Sequence, residues 1–175
     1  PADEDIWQQR YFSLPEKVHF DLLKARLGVD RWDDAQENLR YLNATELAPK
    51  AWQMTVIYLR KDGQKEKAQK YLDLVRDKYP DDVYLVFTEA GYLYDDGRPS
   101  RADFVFEDFA AEKPGDPVRQ LALARWYIFT DNPKKAIGVL EEIDRSGDVS
   151  PKASNSVAVM MAQAQIQDGQ FERAE

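Results

Sequence analysis

Few residues of this chain could do covalent or acid–base chemistry. His19 is the only histidine. A catalytic histidine needs a nucleophile or a second acid or base set beside it, and none is spaced for that role. A packing or surface position is expected instead. The acid pairs Asp33-Asp34, Asp81-Asp82 and Asp95-Asp96 could in principle begin a cation site. Hard cations need several converging carboxylates or carbonyls, however. At turns, such pairs cap helices and favour the positive end of the helix dipole, and that role is expected here. There are no cysteines, which removes disulfides, thiolate catalysis and cysteine-ligated zinc. Gly97-Arg98-Pro99 and the stretch 113–117 (Lys113 to Pro117) are turns, and no phosphate-cradling glycine loop is present. No catalytic residue, metal ligand or cofactor is predicted. What remains is contact chemistry, concentrated in VYLVFTEAGYLY (83–94), with Tyr84, Phe87, Tyr92 and Tyr94 in twelve residues.

Composition narrows the partners. The chain has 175 residues, 43% of them hydrophobic, a net charge of −8 and a pI near 4.8. That balance opposes sequence-independent nucleic-acid binding, which needs a basic field, and adsorption to anionic lipid. No apolar run reaches the roughly 20 residues of a membrane span, so membrane insertion is not expected. No signal peptide is visible. The sequence starts at Pro1 and stops inside a helical pattern, as an excised fragment of a longer chain would. Lack of cysteine leans the compartment toward the periplasm or cell envelope rather than the cytoplasm.

The elements that must carry these aromatics follow from a repeat. Ala68, Ala102 and Ala136 are each 34 residues apart, as are Val56, Ala90 and Ala124. Leu72/Phe106/Leu140, Val75/Phe109/Ile143, Gly63/Gly97 and Pro80/Pro114 keep the same interval. Within a period, Trp52, Val56 and Leu59 mark one helix face. Gly63 breaks the chain, Ala68, Leu72 and Val75 mark a second helix, and Pro80 ends it. The unit is a helix–turn–helix hairpin. VYLVFTEAGYLY is therefore predicted to be helix, although its Val, Tyr and Phe content suits a strand. Tyr58, Tyr92 and Trp126 form one more 34-residue ladder, expected at the seam with a neighbouring hairpin. Ser13-Leu14-Pro15-Glu16 reads as a helix start with capping serine and proline at the first helical position.

These motifs resemble the tetratricopeptide repeat (TPR) family, W-x2-L-G-x2-Y then A-x3-F then P. The chain matches it degenerately with Trp52, Val56, Leu59, Ala68, Leu72 and Pro80, then with Val86, Ala90, Leu93, Ala102, Phe106 and Pro114. A third copy runs through Leu123, Ala124, Tyr127, Ala136 and Leu140. The resemblance implies an all-α fold, a right-handed superhelical solenoid of antiparallel helix hairpins. Its expected divisions are a preceding helix (1–14), repeats at 15–48, 49–82, 83–116 and 117–150, and a truncated repeat at 155–175. From Ala136 to Ala174 the interval is 38, so an insertion is expected near 146–151, lengthening a loop or a helix. The apolar stretch 157–162 has no polar capping helix after it, which predicts self-association through uncapped ends.

The family lines its concave groove with the first helix of each repeat. If Val86, Ala90 and Leu93 take the core, the groove phase falls on Tyr84, Phe87, Gly91 and Tyr94. It falls on Lys50, Gln53, Ile57 and Arg60 in the preceding repeat. In the following one it takes Val118, Leu121, Arg125 and Ile128, with Phe129 adjacent. The carboxylate clamp of the family's chaperone-binding members needs asparagine at inner positions, which is absent here. The expected function is a non-catalytic protein-interaction scaffold, holding a peptide or helix in that groove within a bacterial, cell-envelope assembly. The alternative is glycan handling, in exopolysaccharide export or envelope biogenesis, with Tyr84 and Tyr94 stacking on sugar rings.

Overall fold

The computed structural model describes residues 14–146 and 150–169. Among these residues, all regular structure is helical: α1 (Glu16–Gly28), α2 (Trp32–Leu42), α3 (Ala48–Lys61), α4 (Lys65–Lys78), α5 (Val83–Asp95), α6 (Pro99–Ala111), α7 (Pro117–Phe129), α8 (Pro133–Ser146) and α9 (Pro151–Gln167). The chain is all-α, as expected. The strand-like stretch 83–94 is helix α5. The serine expected to cap the first helix, Ser13, and the preceding helix expected over 1–14 lie outside the described residues, save Leu14. Pro15 precedes α1 rather than opening it.

Helix starts are written in the sequence. Pro99, Pro117, Pro133 and Pro151 each open a helix, where a missing N–H costs nothing and φ is already helical. Asp116 accepts a hydrogen bond from Val118 N at 2.9 Å, Ser150 from Ala153 N at 3.3 Å and Asp82 from Leu85 N at 3.0 Å. Of the acid pairs expected to cap, Asp82 does so and Asp33 and Asp34 lie in the first turn of α2. Asp95 and Asp96 correct the expectation. They stand at the C-terminal end of α5, where Asp96 meets Arg98 at 3.5 Å.

The first helix of a hairpin ends the same way each time. The residue after the turn donates five residues back: Arg31 N to Arg26 O, Gln64 N to Leu59 O, Arg98 N to Leu93 O, and Asn132 N to Tyr127 O. Such a terminus needs a left-handed residue just before that donor. Gly63 and Gly97 supply it with φ of 80° and 73°, and Asp30 and Asp131 do the same at 58° and 57° without being glycine. Of the two forms expected for the insertion, a longer loop or a longer helix, the described residues show the second. α9 starts 34 residues after α7 but has 17 residues against 13, so the extra length extends the helix itself rather than the stretch before it.

The chain divides into two compact units, residues 1–85 and 86–175, with the division inside α5. In the first unit α1 pairs with α2 and α3 with α4. Leu23, Leu27, Ala35, Leu39, Leu42 and Ala51 form its core cluster. His19 is wholly buried there: its Nδ1 lies 3.1 Å from the Asn38 amide nitrogen and its ring stacks on Tyr41 at 3.8 Å. Asn38 Oδ1 in turn accepts from Arg26, which also donates to Asp34 O. The lone histidine therefore sits in a packed polar network. In the second unit α6, α7, α8 and α9 pack in chain order. Ala102, Phe106, Ala124, Ala136 and Leu140 are fully buried, the small side chains letting helices approach closely.

Candidate functional site

The second unit holds a cluster of five aromatic rings from three helices. Trp126 of α7 is its centre and is buried. It stacks on Phe106 of α6, centroids 4.9 Å apart, and meets Phe87 and Tyr94 of α5 edge-on at 6.3 and 6.0 Å. Phe129 lies 5.6 Å from Trp126 and 6.4 Å from Tyr94. The indole N–H of Trp126 donates to Asp103 Oδ1 at 2.8 Å, which fixes the ring's rotation. Trp126 thus takes the inter-hairpin packing role expected of its ladder, as does Tyr58, which stacks on Trp32 in the first unit at 6.0 Å.

The cluster grades from buried to wet. Phe106 and Trp126 are inside, Phe87 is half-buried, Tyr94 is 41% exposed and Phe129 is 68% exposed. Leu121 is half-buried and Arg125 exposed on α7. Gly91 lies between Phe87 and Tyr94 in the run of α5, and a Cβ built on it meets no atom within 4 Å. The predicted residues of this unit are therefore placed unequally. Phe87 packs against Phe106 at 4.6 Å and is as much core as surface. Ile128 corrects the expectation: it is only 6% exposed and cannot line an open face. α7 is apolar nearly all round, with Ala122, Leu123, Ala124, Trp126, Tyr127 and Ile128 buried together, so phase alone did not separate surface from core.

The predicted residues of the first unit form a separate set. Tyr84 is 57% exposed, and its carbonyl accepts from Gln53 Nε2 at 3.2 Å. Lys50 is exposed, while Ile57 and Arg60 are half-buried.

One polar group behind the cluster is perturbed. The Tyr127 hydroxyl donates to Glu107 Oε1 at 2.6 Å, and Lys135 stands 3.5 Å from the same carboxylate and 4.9 Å over the Tyr127 ring. Burial first, and then the hydrogen bond to Glu107 and that carboxylate's charge, push the phenol well above its ordinary value. A phenol that binds its proton more tightly when folded contributes fully below the unfolded value near pH 10 and loses that contribution as pH rises beyond it. Wild-type protein is therefore expected to lose stability above about pH 10 more steeply than Tyr127→Phe. Urea denaturation of both proteins at pH 9 and pH 11 checks this. Parallel losses would contradict it.

Sequence reasoning missed the ring-to-carboxylate bond of Trp126, since Asp103 lies on a different helix. It also missed Arg119, which is buried, donates to Phe109 O at 2.6 Å and Glu112 at 2.7 Å, and lies 4.2 Å over the Phe109 ring. Among the described residues no group of histidines or acids is placed to hold a metal ion. No described helix is long and apolar enough to cross a membrane.

No protein-family model matches the sequence, and no curated protein matches it. Solved structures do match the fold. A tetratricopeptide repeat protein from Parabacteroides merdae ATCC 43184 is 16% identical, with a TM-score of 0.50 over 90% of this chain and 64% of that one. Kinesin light chain TPR-like repeats from Podosopora anserina are 16% identical, with a TM-score of 0.54 over 93% of this chain and 92% of that one. PilF from Pseudomonas aeruginosa is also 16% identical, with a TM-score of 0.50 over 91% of this chain and 71% of that one. This chain spans just under two thirds of the Parabacteroides protein. Its fold is the tetratricopeptide type, an architecture of stacked helix hairpins commonly used as a protein-interaction scaffold.

Proposed function

We propose that the chain is a non-catalytic scaffold that binds a protein partner through the Gly91–Tyr94–Phe129 surface. The carrying observation is the exposure of Tyr94 and Phe129 beside a glycine whose missing side chain the fold does not require. Tyr94 and Phe129 are exposed side by side, centroids 6.4 Å apart, and contiguous apolar patches rather than single exposed rings mark contact sites, where such rings dominate binding energy once desolvated. An amphipathic helix or extended segment would lay apolar residues on Tyr94, Phe129 and Leu121, and pair an acid with Arg125. Lys50, Gln53, Ile57, Arg60 and Tyr84 of the other unit are assigned to partner contact by their sequence phase. As the setting we propose a bacterial cell-envelope assembly, a reading supported by the family resemblance alone.

Site-directed photo-crosslinking tests the surface. A photoreactive phenylalanine at position 129 is expected to capture the partner in cells. The same group at Phe104, an α6 residue 62% exposed, is expected not to. Equal capture from both positions, or none from position 129, would overturn the assignment.

A further inference from the structure

The first unit carries a concave site that shares no residue with the aromatic surface of the other. It is a cleft of ≈ 170 Å³ between α2 and α4, with α3 contributing Trp52. Three rings line it: Trp32, Trp52 and Tyr71. Trp52 and Tyr71 meet at 5.2 Å with a 36° tilt, a wedge rather than a stack. Trp32 has Tyr58 stacked at 6.0 Å and the Lys67 ammonium 4.6 Å from its centroid. Gln36, Arg40 and Asn43 supply the polar lining.

The hydrogen bonds around the cleft leave a specific set of groups unused. Asn43 Oδ1 accepts from Trp52 Nε1 at 3.0 Å and from Lys78 Nζ at 3.1 Å, which pins the amide and leaves its NH2 to donate. Gln36 Nε2 reaches Asp33 at 3.4 Å, leaving Oε1 to accept. Arg40 is exposed and makes no hydrogen bond or ion pair with the described residues. The chain as a whole carries −8, yet Arg40, Lys67 and Lys78 gather around this one cleft.

We infer that the cleft binds a carboxylated pyranose ring, the uronate unit of an acidic polysaccharide. Each part of the lining answers a part of that ligand. Sugar C–H faces pack on aromatic planes. Hydroxyls both donate and accept, as an amide NH2 beside an amide oxygen requires. A carboxylate takes a forked pair of bonds from a free guanidinium, strengthened by two nearby ammonium groups. The size is compatible: at ≈ 170 Å³ the cleft is well under the roughly 300–1,000 Å³ of drug-sized ligand pockets. One ring fits, with the rest of the chain running out along the rim. An acidic peptide would satisfy the cations, and its backbone would meet the amide groups, but it has no ring face to lay on the aromatic lining. The inference is independent of the protein-binding surface.

The test is a titration of 15N-labelled chain, read at the Trp32 and Trp52 indole N–H signals. Three probes are used: tetragalacturonate, its methyl ester, and tetraglutamate. Tetragalacturonate is expected to shift both signals in a saturable way. The neutral ester should bind at least tenfold more weakly, and tetraglutamate should produce no saturable shift. Arg40→Gln and Tyr71→Ala should each weaken tetragalacturonate at least tenfold, and Phe129→Ala should leave it unchanged. Equal binding of tetraglutamate would make the cleft a simple anion or acidic-peptide site and overturn the proposal. Equal binding of the ester, or absence of any shift, would overturn it as well.

Discussion

Replacing Trp126 with alanine is expected to destabilise the chain by about 4 kcal/mol, at the upper range of core truncations. The indole is buried among Phe87, Tyr94, Phe106 and Phe129, so its removal leaves a void that four rings on three helices cannot close together. Asp103 also loses its donor, leaving a partly buried carboxylate to Lys135 at 3.9 Å. Trp126→Phe separates these contributions. It keeps a ring in the stack while removing the hydrogen bond, which to a charged acceptor is worth about 1.5 kcal/mol or somewhat more, together with part of the indole's buried volume, so its cost should fall between that figure and the alanine value. Since small domains are stable by about 5–15 kcal/mol, the alanine variant should melt far earlier and the phenylalanine variant should remain folded at room temperature. Trp126 is the one tryptophan after residue 86, so its fluorescence disappears with it. Urea unfolding is therefore followed by far-ultraviolet circular dichroism. A loss under about 1 kcal/mol for the alanine variant would show that the cluster does not hold these helices together.

The same cluster shows where sequence reading succeeds and where it stops. A 34-residue ladder placed Trp126 at a seam, and the interval survived because each hairpin repeats one packing problem. The helix starts at Pro99, Pro117, Pro133 and Pro151 were legible for a local reason, since proline suits only the first turn. Side-chain partners across helices were not legible. Nothing in the spacing ties Trp126 to Asp103 or buries Arg119 against Phe109 O, because those contacts depend on rotamers and on how far adjacent helices turn. Ile128 and Phe129 show the related limit. Neighbours on a helix point about 100° apart, and on a helix apolar nearly all round no polar face says which one is wet. The Trp32–Trp52–Tyr71 cleft escaped for another reason. Neither the 34-residue ladders nor the groove phase picks out Gln36, Arg40 and Asn43, which follow Trp32 at helical spacing along α2 and its C-terminal cap.

Substituting methionine at Gly91 should move stability and binding in opposite directions. Glycine inside a helix costs about 1 kcal/mol relative to alanine, and methionine is nearly as good a helix former as alanine. A Cβ at Gly91 meets nothing within 4 Å, so the side chain starts into open space, and unfolding should shift to higher urea by about 0.8 kcal/mol of added stability. The same side chain would stand beside Tyr94, where a partner's apolar residue is expected to seat. Capture of the crosslinked partner should fall by at least tenfold, or about 1.4 kcal/mol. Gly138 provides the control. It also lies within a helix with open space beyond its Cα, but on α8. Gly138→Met should gain similar stability and capture the partner normally. A lost interaction in most variants is ambiguous, since unfolding and a blocked contact look alike. A variant that folds better and binds worse is not. If Gly91→Met instead binds like wild type, the space beside Tyr94 is unused, and the partner must touch α5 and α7 elsewhere.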